Sequence, residues 1–400
     1  MRTRRVIGTM TGTSIDGIDL ALVEIEGEGL SMRASLIRGR SAELGSLAPR
    51  LRAAADQTPL AAREFASLAL DFGSLHAREA LALAAGEPVD LVVAHGQTIF
   101  HAPPISWQLL NPFPIAAALR CRVICDLRQA DLAAGGEGAP ITPLADWILF
   151  RAAAPRVILN LGGFANATAV PGTGDAGTEV AQVRGGENPA PAPLRGGAAT
   201  PPLAHIRGAD LCVCNQLLDR AALRFIGAPF DRDGAAAARG RADEPLCNEL
   251  ADRLARQRAN GRSLGTGDEL FEWLDTASTA LAPDDALATI VAALADAIAT
   301  GIRALESTPS EVIVAGGGAL HRSLLRALAM SLGCPVVISD ERGVPAALRE
   351  AMEMAVLGAL AEDGVPISIA AVTHRGDPIA QDGSRVAPPT GLAPPAHTRV

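Results

Sequence analysis

A chain of 400 residues, 48% hydrophobic and 20% charged, is longer than one ordinary core sustains, so two domains or one duplicated fold is expected, with a cleft as the default ligand site. The formal net charge of −9 and an aromatic content of 3% without tyrosine argue against a nucleic-acid partner, because neither a basic patch nor a stacking surface is encoded. All 35 residues of the Lys+Arg total are arginine, which excludes a Walker A loop, the protein-kinase strand lysine and lysine Schiff-base chemistry; ATP, if used, must be held by backbone, hydroxyls, metal and arginine.

In chain order, residues 6–25 read as a hairpin. Val6 and Ile7 lead into Gly8, Thr9, Met10, Thr11, Gly12, Thr13 and Ser14, and the chain leaves through Ile18, Leu20, Leu22 and Ile25 with period-2 alternation. Gly8 and Gly12 permit close backbone approach, and the hydroxyls and N–H groups of the turn suit phosphate oxygens. Asp16 and Asp19 can take a metal directly or through water. An ordinary polar turn is the alternative, with Asp19 a solvated strand residue.

Residues 44–86 read as Ala/Leu-rich helix and 89–94 as a short buried strand ending at His95, Gly96, Gln97 and Thr98. A small helix precedes a second strand, RVICDLR, which runs into Asp131 and the glycine-rich stretch 135–140. RVILNLGGFAN carries a third strand into Asn160, Gly162, Gly163 and Asn166, and EVIVAGGG ends a fourth at Gly316, Gly317 and Gly318. Helix alternating with strand predicts an α/β fold, and glycines at strand ends mark where such sheets bind ligands. Residues 171–207 read as a long Gly/Pro/Ala-rich insertion and 376–400 as a disordered tail.

The six cysteines, Cys121, Cys125, Cys212, Cys214, Cys247 and Cys334, match neither a zinc site nor a disulfide framework. MRTRR is followed by a strand-like run, not a signal-peptide core, and no uninterrupted apolar run is long enough to span a membrane. A reducing cytoplasm and no membrane partner are expected.

Seven elements occur in order: GTMTGTSIDGID, HGQTIFH, DLRQADLAAGGEGAPI, NLGGFAN, GADLCVCN, FDRDG and AGGGAL. In this order they resemble the anhydro-N-acetylmuramic acid kinases, bacterial sugar kinases of the actin, hexokinase and Hsp70 superfamily, over residues 6 to about 370. The resemblance implies an actin-like, ribonuclease H-like fold of two α/β domains around a central cleft. One domain would take residues 1–128 with about 365–375, the other 129–364. It implies ATP and Mg²⁺ as cofactors, an anhydro sugar as small-molecule partner, and a homodimer.

The resemblance also implies roles. Gly8, Thr9, Thr11, Gly12, Thr13, Ser14, Asp16 and Gly17 of the hairpin would hold phosphates with Asn160, Gly162 and Gly163, while Gly316, Gly317 and Gly318 lie against adenosine. Asp210 would be the base that activates water toward the anomeric carbon, a role worth roughly 10²–10⁴ in rate. Asp16 would sit near Mg²⁺ and the γ-phosphate; His95, Gln97, His101, Arg128, Asp131 and Glu350 would contact the sugar. Structural alternatives stand beside these: Asp210 or Asp131 capping a helix, buried structural histidines, Arg128 pairing with a neighbouring aspartate, and FDRDG as a turn.

Two departures stand out. The family's Thr-Gly-Pro-Gly is Leu211, Cys212, Val213 and Cys214 here, whose Cβ atoms are expected to crowd space that glycine leaves open. A Lys-Ser-Thr-Gly stretch is replaced by Ser263, Leu264, Gly265, Thr266 and Gly267. These leave two other functions open: a kinase for a different anhydro sugar of the levoglucosan type, and a catalytically weak nucleotide-binding regulator.

Overall fold

The computed structural model describes residues 2–12, 15–173, 205–259, 270–276, 281–370, 372–375 and 385–387. Thr13, Ser14, the altered stretch 263–267 and most of the expected insertion and tail lie outside the described residues. Two compact units make up the chain, residues 1–149 with 348–400 and residues 150–347.

The first unit opens with β1 (Thr3–Met10), β2 (Gly17–Glu26) and β3 (Arg33–Glu43), followed by α1 (Leu47–Ala55) and α2 (Ala62–Ala84). Next come β4 (Leu91–Ala94), β5 (Gln97–Ala102), β6 (Ile105–Leu109), α3 (Phe113–Leu119), β7 (Arg122–Cys125), α4 (Gln129–Ala133) and α5 (Pro143–Phe150). The second unit begins with β8 (Arg156–Leu161), β9 (Phe164–Val170) and β10 (Arg207–Val213). It continues as α6 (Asn215–Ile226), α7 (Ala235–Arg239), α8 (Glu244–Ala259), α9 (Phe271–Thr276) and α10 (Pro283–Leu305), then β11 (Glu311–Ala315), α11 (Arg322–Leu332) and β12 (Val336–Ile338). The chain returns to the first unit as α12 (Arg349–Glu362) and β13 (Arg385–Ala387).

The strand orders show the duplication. In the first unit the sheet runs β13-β7-β4-β1-β2-β3, with β1, β2 and β3 successively antiparallel and β4 and β7 continuing parallel to β1. In the second it runs β10-β9-β8-β11-β12, again an antiparallel triplet followed by two strands parallel to its first member. Both are the ribonuclease H-like order that actin-like proteins repeat.

Three expectations are corrected. The boundaries fall at 149/150 and 347/348, not at 128/129 and 364/365, because α12 packs on β1, β2 and β4 of the first sheet. The 376–400 tail is not wholly without structure, since β13 pairs antiparallel with β7. The 44–86 helix is two helices, interrupted between Ala55 and Ala62 where Pro59 cannot donate its nitrogen to a helix.

The first unit's core on one sheet face joins Ile7, Ile18, Leu20 and Leu22 to Phe72, Leu75 and Leu83 of α2. On the other face α12 approaches through small residues. A Cβ on Gly8 would lie 1.9 Å from the Ala351 carbonyl oxygen, and one on Gly358 would lie 2.1 Å from Val93 Cγ2. Close packing of α12 therefore requires glycine at position 8, a reason independent of any phosphate. In the second unit α10 meets the length and composition of a membrane span, yet 78% of that window is buried; Leu287, Ile290, Leu294 and Ile298 lie in the unit's core.

Candidate active site

In the first unit the turn between β1 and β2 starts at Thr11, which is 2% exposed and whose Oγ1 has no hydrogen-bond partner among the described residues. Ile15 N–H donates to the Gly12 carbonyl at 3.2 Å, and Arg52 Nη2 donates to the Ile15 carbonyl at 3.0 Å, holding Ile15 at a φ of 51°. The turn then delivers exposed Asp16 and half-buried Gly17 to the start of β2. Asp19 accepts a bond from Ser41 Oγ at 2.5 Å; burial pushes its carboxyl up, Ser41 opposes that, and Asp16 adds to it. Thr9 is fully buried and its hydroxyl meets Nδ1 of His76, on α2, at 3.0 Å. That committed hydroxyl leaves Thr11 as the described threonine of the turn with an unmet side chain. No sequence signal singled out His76, 67 residues from its partner.

At the end of β4, His95 is 3% exposed and accepts from Arg128 Nε at 3.1 Å through Nε2, so its proton sits on Nδ1. Burial, then the Arg128 charge, push His95 down to about 3, and burial does the same to His76. Both rings are neutral. Arg128 is pushed down to about 10 by burial and remains charged at neutral pH, with Nη1 donating to the Gly138 carbonyl at 2.8 Å. Gln97 is 1% exposed, its Nε2 on the Thr98 carbonyl at 3.3 Å and its Oε1 without a partner among the described residues. His101 is half-buried on β5, with Nδ1 2.9 Å from Ser106 Oγ of β6.

Asp131 departs from expectation. It is 1% exposed, and its carboxylate accepts from Gly138 N–H at 2.8 Å, Thr373 Oγ1 at 2.7 Å and Arg375 Nη1 at 2.8 Å. Three bonds, one of them a buried ion pair, consume it, so it clamps the glycine-rich loop to residues 373–375 and is not a sugar contact. Glu350, in the first turn of α12, is half-buried and has no hydrogen-bond partner among the described residues. Burial pushes its carboxyl up, opposed by Arg349 and Arg128 and assisted by Asp19 and Asp146. Arg128 and Glu350 thus give the first unit one charged fork and one unbonded carboxyl.

In the second unit β8 and β11 run parallel, with Asn160 opposite Ala315, so their glycine turns emerge side by side. Gly316 has a φ of 81°, and a Cβ there would lie 2.7 Å from Asn160 Oδ1. Asn215 links the turn after β8 to the start of α6: its N–H donates to the Gly162 carbonyl at 3.0 Å and its Nδ2 to the Leu161 carbonyl at 2.9 Å. A Cβ on Gly318 would meet Leu161 Cβ at 2.6 Å and Asn215 Oδ1 at 2.8 Å, whereas Gly317 is exposed. Gly163 supplies the remaining lock, its carbonyl accepting Cys214 N–H at 2.8 Å. FDRDG is a clamp: Asp231 caps the start of α7 by accepting Ala236 and Ala237 N–H at 2.9 Å each, and Ser323 Oγ donates to the Gly234 carbonyl at 2.7 Å.

Asp210 lies on β10, at the edge of the sheet, opposite Asn166. The next pair is Cys212 with Ala165, so Leu211 is an extra residue in the ladder. Such bulges redirect the flanking side chains, and they recur beside active sites. Asp210 is half-buried and does not cap α6, whose N-cap is Cys214 without a side-chain cap. The crowding expected of Leu211, Cys212, Val213 and Cys214 does not arise: all four are at most 2% exposed and pack in the unit's core. None of the six cysteines is paired, and five of them are buried.

A model of the anhydro-N-acetylmuramic acid kinase family matches residues 4–179 and 198–380. The chain belongs to that family. It is 34% identical over 382 residues to the anhydro-N-acetylmuramic acid kinase of Bordetella pertussis (strain Tohama I), covering 92% of this chain and 93% of that protein. The kinases of Synechococcus sp. (strain WH7803) and Cupriavidus pinatubonensis are each 33% identical, covering 92% and 94% of this chain and 96% of theirs. Among solved structures, the activator of the 2-hydroxyisocaproyl-CoA dehydratase from Clostridium difficile with bound ADPNP has a TM-score of 0.41 at 13% identity, covering 90% of this chain and 95% of that one. The fold of this family member rests on its strand order instead.

Proposed function

We propose that this member of the anhydro-N-acetylmuramic acid kinase family opens the 1,6-anhydro bridge of 1,6-anhydro-N-acetylmuramate with water and phosphorylates O6 with ATP, giving N-acetylmuramate 6-phosphate and ADP. The family match over nearly the whole chain, with Asp210 retained on a bulged strand, is the observation that supports this reading most. The oxygen of water bonds to C1 as its proton passes to Asp210; the C1–O6 bond breaks, and O6 bonds to the γ-phosphorus as ADP leaves. Asp210 is the catalytic residue, and a positioned base of this kind is worth about 10²–10⁴ in rate.

On this reading Thr11 Oγ1 and the N–H groups of the β1–β2 turn bind phosphate oxygens, and the Asn160, Gly162, Gly163 and Gly316–Gly318 turns bind the nucleotide. Arg128 offers its remaining donors, and Glu350 its carboxyl, to the sugar's polar groups; an arginine fork suits a lactyl carboxylate. His95, neutral and bonded to Arg128, orients that guanidinium. Among the described residues no three His, Cys, Asp or Glu side chains group to hold a metal. That fits Mg²⁺ carried on the nucleotide and met by Asp16, directly or through water, where it would neutralise phosphate charge. We place the protein in the cytoplasm as a homodimer, the first supported by its unpaired cysteines and the second by family resemblance alone.

Product analysis tests the proposal. Purified protein with Mg-ATP and 1,6-anhydro-N-acetylmuramate is expected to yield a reducing sugar 6-phosphate and equimolar ADP, and neither after EDTA treatment. Turnover of levoglucosan in preference, or ATP binding without any sugar-dependent ADP, would replace this reading with one of the two other functions.

A further inference from the structure

Beneath Glu350 lies a group of charges that the reaction does not use directly. Arg349, the first residue of α12, is 4% exposed; Asp146 on α5 and Glu353, one turn further along α12, are both fully buried. Arg349 Nε and Nη2 both donate to Asp146 Oδ1, at 3.1 and 2.7 Å. Glu353 Oε1 lies 2.7 Å from Arg349 Nε, but the single hydrogen on that nitrogen is already directed at Asp146. Asp146 Oδ2 and both Glu353 oxygens are buried without a donor among the described residues.

Charge and hydrogen-bond accounting give the same answer. Two ionised carboxylates and one guanidinium would leave a net negative charge sealed from water, a costly arrangement. One added proton makes the group neutral. Placed on Glu353 and directed at Asp146 Oδ2, it also gives that oxygen its donor. We propose that Glu353 is a protonated carboxylic acid that donates to Asp146, forming with Arg349 a neutral cluster that positions Glu350 at the start of α12. Burial pushes the Glu353 carboxyl well up, with Asp146 and Glu350 acting in the same direction and Arg349 opposing. The groups facing Glu350 itself are Arg349 beside it, Arg128 ahead of α4, Asp19 on β2 and Asp146 on α5.

The positioning role follows from how α12 begins. Its N-cap, Leu348, makes no side-chain cap bond, so the first turn is fixed by the Arg349 side chain held on Asp146, 203 residues away in sequence. Freeing that side chain lets the first turn, and Glu350 with it, shift. Asp146, Arg349 and Glu353 are thus positioning residues, and only their link to sugar binding rests on the proposed kinase reaction.

Carboxyl ¹³C NMR of the full-length protein, with Glu353 assigned by difference from E353Q, tests the proton placement without any activity. Glu353 is expected to stay protonated at neutral pH, and D146N should cause it to ionise, because it then becomes the sole counter-charge of Arg349. A Glu353 carboxylate already ionised at pH 7 in the unmodified protein would overturn the proposal. E353Q keeps a donor for Asp146, so it should rescue what E353A loses. E353A should raise the sugar KM about tenfold or more with a smaller change in kcat, as expected when a contact is misplaced, not removed. If E353Q were as impaired as E353A, or if E353A changed the melting temperature alone, the cluster would not position Glu350. A protein that binds ATP but turns over no sugar would refute the kinase reading and leave the NMR result standing.

Discussion

The first turn of each unit occupies the same place in the repeated strand order, yet the two are built in opposite ways. Between β8 and β9 the glycine carbonyls and Leu161 are bonded by the start of α6, and Gly316 and Gly318 fit against the same turn with no room for a Cβ. Between β1 and β2 the Thr11 hydroxyl is buried and unmet, and Asp16 is exposed. One turn is held in shape by its neighbours; the other, among the described residues, keeps the Thr11 hydroxyl unmet. A repeated fold can therefore lock the loop's shape in one copy and leave a polar side chain unmet in the other.

The largest effect that can sharpen this contrast is acid sensitivity. His76 and His95 lie behind the first turn, each at about 3 when folded against about 6.5 when unfolded. Below pH 6.5 the unfolded chain binds protons that the folded chain refuses, so their contribution is intact above that pH and lost as pH falls toward 3. At pH 5 each should cost about 2 kcal/mol. Hydrogen exchange followed from pH 7 to pH 5 should show the first unit losing protection, and H76Q should flatten that slope; equal loss in both units would break the comparison.

Smaller is the effect of Asn215→Ala. It removes the bond to the Leu161 carbonyl and should cost about 1–2 kcal/mol by denaturant titration, with weaker nucleotide binding. Smallest, and opposite in sign, is Thr11→Val. Removing a buried hydroxyl without a partner should leave stability unchanged or raise it by about 0.5–1 kcal/mol, while the KM for ATP rises. A T11V variant that is destabilised with an unchanged ATP KM would make the Thr11 hydroxyl a structural group and break the contrast.

How much of this was legible in the sequence differs by element. The hairpin of β1 and β2, and the strands β4, β7, β8 and β11, announced themselves as apolar runs ending in turn residues. β3 did not, because most of its residues are exposed and its sequence, RASLIRGRSAE, is polar for a strand. β9 and β10 are neighbours in the sheet but separated by the 36 residues between Val170 and Arg207, and β12 is three residues long. The same limit applies to the site. Asp210 and Arg128 stand in recognisable motifs, while His76, the bonds of Asn215 and the Asp146–Arg349–Glu353 cluster acquire meaning only through partners 54 to 203 residues away. Asp131 shows the converse: its motif marks it, but the Thr373 and Arg375 that occupy it lie 242 and 244 residues further on.

Asp210→Asn tests the central claim most directly, because it keeps the shape of the side chain and removes the base. Sugar-dependent ADP release should fall by about 10²–10⁴ while nucleotide binding and melting temperature are unchanged. Sugar-dependent turnover within a few-fold of the unmodified protein would contradict Asp210 as the group that activates water.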